Sequence, residues 1–127
     1  MPVNVEKHID YWKKGAEECL DTARLLLAGK KDKEALFFTH LALEKAIKAL
    51  VVKATRDIPP FSHDLLILAK KAKLNLSSEQ EEFLADMTRF AVQGRYQDLD
   101  RPSPTAKKAK ADLKQAEEII QWLTPKL

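Results

Sequence analysis

Three histidines, His8, His40 and His63, are the side chains of this chain whose ordinary titration lies near neutral pH. His63 stands beside Asp64, a carboxylate able to orient its ring, and an imidazole held that way can take a proton from a ribose hydroxyl. Arg56, six intervening residues before His63, would bring a guanidinium to a phosphate. The same stretch also has a purely structural use. Ser62 and Asp64 can satisfy the free N–H groups of a helix start, and His63 can hydrogen-bond the loop.

A second group is Arg95, Tyr96 and Asp98. Here a guanidinium offers forked donors to an anion and a phenol offers a stacking face to a base. The alternative is local order, with Arg95 covering a helix C-terminus or pairing with Asp98, and Tyr96 closing the core. Further on, Lys107, Lys110 and Lys114 form one helical stripe, with Lys108 nearby and Arg101 upstream. These cations occupy the first half of a helix, where the dipole disfavours them, which suits a phosphate or RNA-backbone surface as well as a solvated face. No aromatic residues interleave with them, which argues against a dedicated single-strand platform. His40 and Glu44 are one turn apart, as are Glu44 and Lys48, giving a buried polar cluster or an i,i+4 salt bridge. Glu44 and Lys45 would fix helix packing or a dimer seam.

Other chemistries lack their residues. No paired-cysteine motif, His-Glu-x-x-His or repeated Glu-x-x-His is present, so neither a metal nor a cofactor is expected. No Gly-rich phosphate loop and no Gly-x-Ser-x-Gly turn occurs.

The elements that would position these groups are helices. Residues 34–53 contain no Gly or Pro, and Ala35, Phe38, Ala42, Ala46 and Ala49 share one face beside a second apolar face of Leu36, Leu43, Ile47 and Leu50. This helix, running to about Ala54 or Thr55, should be buried on most sides, with Glu34, Lys45 and Lys48 as its wet edge and His40 and Glu44 near the boundary. Val5, Ile9, Trp12, Ala16, Cys19, Leu20, Ala23 and Leu27 predict a first helix over about 5–28, stopped by Gly29. A short polar turn, Lys30 to Asp32, makes the two helices antiparallel neighbours. Pro59 and Pro60 impose a stiff loop, after which Ser62 caps a short third helix ending near Lys73. Capping boxes at Ser77/Gln80 and Ser78/Glu81 start a fourth helix that runs to about Gln93. Ser103-Pro104 announces a fifth, with Ala106, Ala109, Leu113, Ala116, Ile120 and Leu123 facing the core. On that wheel Trp122 points the other way, as a snorkelling surface residue or a subunit contact.

With 127 residues, three Gly, 45% hydrophobic and 32% charged side chains, the chain is expected to be one all-α domain over 1–127. A net charge of +3 neither demands nor excludes nucleic acid. Cys19 is the only cysteine and falls in phase with the core, pointing to a buried thiol and the cytosol. No run approaches a membrane span and the N-terminus is polar, so a cytoplasmic, unprocessed chain is expected.

Ala-Leu-Glu-Lys-Ala-Ile-Lys-Ala-Leu at 42–50, Ser-His-Asp-Leu at 62–65 after the prolines, and Arg95-Tyr-x-Asp98 together resemble the HEPN domain family over nearly the whole chain. The resemblance implies a five-helix up-and-down bundle built round a long antiparallel helix pair. It implies a frequent homodimer, found beside a small nucleotidyltransferase or in toxin–antitoxin and RNA-processing systems. Many members carry Arg, four to six residues and then His near the start of a late helix, where paired motifs across a dimer cleave RNA without metal. No histidine follows Arg95 here.

The function expected on these grounds is a non-catalytic nucleotide- or RNA-associated accessory module, dimeric, partnered by a small nucleotidyltransferase. The alternative is a metal-independent ribonuclease with His63 as base and Arg95 or Arg56 on the phosphate. A third is an oligomerisation domain built on Trp122 and the central helix.

Overall fold

The computed structural model describes residues 3–93 and 104–127. Among these are five α-helices and no strand: α1 (Val5–Ala28), α2 (Asp32–Thr55), α3 (Leu65–Lys71), α4 (Ser78–Gln93) and α5 (Ala106–Leu123). They form an all-α up-and-down bundle, closed by a 3-10 turn at Thr124–Lys126.

Local chemistry sets the ends. Asn4 caps α1, its side chain accepting from Lys7 N at 3.1 Å. The turn into α2 is made by Lys30, with φ 62°, and not by Gly29, whose φ of −83° any residue can adopt. α2 stops at Arg56, which takes the left-handed conformation at φ 57° and donates its N–H to Val52 O. Ser77 and Gln80 complete the reciprocal capping box at the head of α4.

Two expected caps differ. Asp64, not Ser62, caps α3: its Oδ1 accepts from Leu66 N at 3.0 Å and Ile67 N at 3.2 Å, while Ser62 Oγ accepts from Asp64 N. A carboxylate meets the positive end of the helix better than a hydroxyl, and α3 accordingly starts at Leu65 and ends two residues before the expected Lys73. α5 is capped by Thr105, whose hydroxyl accepts from Lys108 N, and Ala106, expected in the core, is exposed as the first residue of the helix; Ser103 lies outside the described residues.

α2 is the axis of the bundle. α1 packs along it antiparallel, and α3, α4 and α5 take its remaining sides, so that 14 of its 24 residues are buried. Leu36, Leu43 and Ile47 meet Leu65, Leu68, Leu84, Met87 and Leu123, all fully buried. Gly15 permits the close approach of α1, since a Cβ there would stand 3.0 Å from Lys45 Cδ. Along α1 burial is uneven: Ala16, Cys19, Leu20 and Ala23 are buried, whereas Val5, Ile9 and Trp12 are only partly covered. No helix among the described residues is long and apolar enough to cross a membrane.

Candidate functional site

His40, Glu44 and Lys48 recur every fourth residue of α2, which stacks them on one face. Across that face runs the loop from Arg56 to Asp64. Its two prolines and the Asp57 side chain, which accepts from Ile58 N at 2.8 Å, stiffen it, and it returns His63 to α2 nineteen residues after Glu44.

One carboxylate organises the cluster. His63 Nδ1 donates to Glu44 Oε1 at 2.8 Å, and Lys48 Nζ donates to Glu44 Oε2 at 2.9 Å. His40 Nε2 donates to the carbonyl oxygen of His63 at 2.9 Å, clamping the loop, and its Nδ1 lies 4.0 Å from Glu44 Oε1. Glu44 and Lys48 side chains are 5% and 7% exposed while that of His63 is 48% exposed. Two charges so buried persist only because they are paired. Lys48 Nζ also sits 5.2 Å from the centre of the Trp12 ring, so α1 covers the cation with an aromatic face.

These partners fix the ring chemistry of His63. With Nδ1–H committed to Glu44, the neutral ring keeps its lone pair on Nε2, on a half-exposed side chain. An imidazole oriented by a buried carboxylate can accept a proton from water or a hydroxyl, and the carboxylate stabilises the imidazolium that results.

The carboxylate that orients His63 is therefore Glu44 on α2, not its neighbour Asp64, which is committed to the α3 cap. Lys48, expected at the wet edge, is buried because Glu44 and Trp12 enclose it. Lys45 lies partly buried across Gly15, close enough to Cys19 to interact with the thiol. Arg56 is exposed and makes no described contact with His63. Trp122 is partly buried against the core with Lys126 Nζ 4.5 Å from its ring centre. Arg95, Tyr96, Asp98 and Arg101 lie outside the described residues. No group of three or more His, Cys, Asp or Glu among the described residues is placed to hold a metal ion.

The lysines of α5 divide into two kinds. Lys108 Nζ lies 3.0 Å from Asp112 Oδ2 and 3.2 Å from Asp86 Oδ2. Burial lowers the Lys108 pKa, but the two carboxylates outweigh it and leave it raised; burial pushes the Asp112 carboxyl up against the pull of Lys108. Lys107, Lys110 and Lys114 are exposed along one face and form no ion pair among the described residues. The spacing of His40, Glu44 and Lys48 offers a buried polar cluster as one alternative, but nothing in the sequence points to the partners that complete it, His63 from the loop and Trp12 from α1.

The chain matches the HEPN domain family over residues 9–126. No protein of curated function matches it. Among solved structures it is similar to TT1696 from Thermus thermophilus, with a TM-score of 0.79 at 23% identity over 94% of this chain and 98% of that one. It is also similar to ST0689, described as an archaeal HEPN homologue, with a TM-score of 0.73 at 22% identity over 93% and 96% of the two chains.

Proposed function

Because the chain belongs to the HEPN domain family, we propose that it is a non-catalytic nucleotide- or RNA-associated accessory module, working as a homodimer beside a small nucleotidyltransferase. The observation that carries this reading is the division of the α5 lysines. Lys108 is neutralised by two carboxylates, whereas Lys107, Lys110 and Lys114 stand together in the first half of the helix with no described counter-charge. Three cations on one face, set where the dipole disfavours them, gain most when phosphate supplies the missing negative charge.

The pairing of His63 with Glu44 favours a second reading, a metal-independent ribonuclease. His63 Nε2 would take the 2′-hydroxyl proton as that oxygen attacks phosphorus; the 5′-oxygen would leave and be protonated by water. Among the described residues the hydrogen bonds of the His63 cluster join Glu44, His40 and Lys48, and no described arginine is bonded to it; the accessory reading stands first on the α5 lysines.

The test is incubation of purified protein with labelled mixed-sequence RNA in EDTA. Wild type, the triple Lys107→Ala, Lys110→Ala, Lys114→Ala variant and His63→Ala are compared, each checked for folding by circular dichroism. Binding of intact RNA that weakens in the triple variant supports the accessory module. Cleavage that disappears in His63→Ala moves the ribonuclease to the front, and absence of any RNA association sinks both.

A further inference from the structure

One surface of the molecule belongs to neither reading. The start of α1 contributes Lys7, His8, Tyr11 and Trp12, and the loop after α2 contributes Ile58, Pro59 and Phe61, to an open groove of about 520 Å³. From Asn4 to Trp12 the groove follows α1 for eight residues, roughly 12 Å, about the length of four residues of extended chain. Tyr11 is 66% exposed, Ile58 53% and Phe61 99%, so three of the five large apolar side chains that the described residues leave in solvent gather at this one place. Single apolar residues scattered over a surface need no explanation, whereas a cluster rimmed by polar groups marks a place where something docks.

Shape and charge decide the kind of partner. A small molecule lying in the groove reaches at most one face of a ring as exposed as Phe61; to bury it takes a chain that lies across the opening. The ionisable lining is Lys7, His8 and the Tyr11 phenol, and no carboxylate lines the groove. Of the acidic neighbours, Asp10 pairs with Lys14 at 3.0 Å and Asp57 accepts from Ile58 N at 2.8 Å. The side chains of Lys7 and His8 have no acidic partner among the described residues. Their complement is a carboxylate brought by the partner. The same imbalance disfavours a second copy of the chain. A two-fold interface sets one patch against itself, so neither copy's groove would offer a carboxylate to the Lys7 and His8 of the other.

We infer that this groove docks a short acidic segment of a partner protein. An apolar side chain of the segment sits between Tyr11, Ile58 and Phe61, and a neighbouring carboxylate meets Lys7, with His8 as a second donor when it is protonated. Covering the exposed apolar surface supplies the affinity, and the carboxylate sets the direction of the chain. Trp12 forms a wall that exists before the partner arrives, because its ring is packed over Lys48 Nζ at 5.2 Å. The inference is independent of the nucleotide reading, since none of the α5 lysines lines the groove.

Fluorescence titration tests it. Trp122→Phe leaves Trp12 as the sole tryptophan of the chain's two, and its emission reports on the groove it lines. Three capped pentapeptides are added in turn: Asp-Leu-Phe-Asp-Glu, Lys-Leu-Phe-Lys-Lys and Asp-Ser-Ser-Asp-Glu. The first should shift Trp12 emission saturably below about 1 mM, and the other two, which lack the charge or the apolar pair, should bind at least about tenfold more weakly. Phe61→Ala should weaken the acidic peptide about tenfold, and Lys7→Glu should remove its advantage over the basic one. Both side chains are exposed, and circular dichroism checks that the variants fold. Peptide binding should be unchanged when Lys107, Lys110 and Lys114 are replaced by alanine, which separates it from the RNA reading. No saturable shift with the acidic peptide, equal binding of the acidic and basic peptides, or an affinity unchanged in both Phe61→Ala and Lys7→Glu would overturn the inference. So would displacement of the bound peptide by AMP or RNA, which assigns the groove to a nucleotide or a strand, and so would a dimer that Phe61→Ala converts to monomer, which sets a second copy on it.

Discussion

His63 Nδ1 lies 2.8 Å from Glu44 Oε1, so a half-exposed loop imidazole is held by a carboxylate that the core almost completely encloses. The same carboxylate receives Lys48 Nζ at 2.9 Å. Glu44 is thus the residue on which both the loop and a buried cation depend.

Glu44→Gln should therefore be severe, because it leaves the Lys48 ammonium buried without its counter-charge. A loss of about 3–5 kcal/mol is expected from urea unfolding. His63→Ala, cutting a contact on the exposed side, should cost about 1 kcal/mol or less. Adding Lys48→Met to Glu44→Gln should restore part of the loss, since no unpaired charge then remains. Equal costs for Glu44→Gln and His63→Ala would refute this division.

Asp64 separates capping from chemistry. Asp64→Ala removes the acceptor for two α3 N–H groups and should cost about 1 kcal/mol, whereas Asn caps as well as Asp and Asp64→Asn should be near neutral. Thermal melts read both. If His63 cleaves RNA, Asp64→Asn should leave the rate intact while Glu44→Gln abolishes it.

The α5 stripe predicts a salt signature. Every phosphate that goes unneutralised lowers the slope of log affinity against log salt by about 0.7 for single strands, so Lys107→Ala, Lys110→Ala and Lys114→Ala together should reduce it by about 2. Filter binding of RNA across a salt series measures this. Lys108→Ala should act mainly on stability, because its charge is already paired with Asp86 and Asp112.

Cys19 predicts a pH effect of definite sign. Burial pushes its thiol above the ordinary 9.0, outweighing the opposing pull of Lys45. The folded state then holds a proton that the unfolded state releases. The thiol's contribution to stability is complete below pH 9.0 and is lost as pH rises through the higher folded value. Cys19→Ala should flatten this alkaline decline in urea midpoints, and the native thiol should react with alkylating reagents far more slowly than the urea-unfolded chain.

Much of the fold is legible locally. The 3.6-residue recurrence of Ala, Leu and Ile places all five helices, because the apolar stripe and the backbone hydrogen bonds that define a helix lie within a few residues of each other. The capping box at Ser77 and Gln80 is legible for the same reason: both partners sit in one turn. Motif order along the chain also points to the HEPN family, which the match over residues 9–126 establishes.

The site is a different case. From sequence alone Asp64 is the natural partner of His63, being adjacent; tertiary structure assigns Asp64 to α3 and brings Glu44 instead, from another helix. Lys48 has the character of a surface residue, and it is buried because Glu44 pairs with it and Trp12 packs over it from α1. Phe61 has the composition of a core residue and is left bare. Periodicity reports which face of a helix is apolar, a property of neighbours one turn apart. Which distant side chain covers a charge depends on how helices and loops dock, and that is decided by the shape of the whole core.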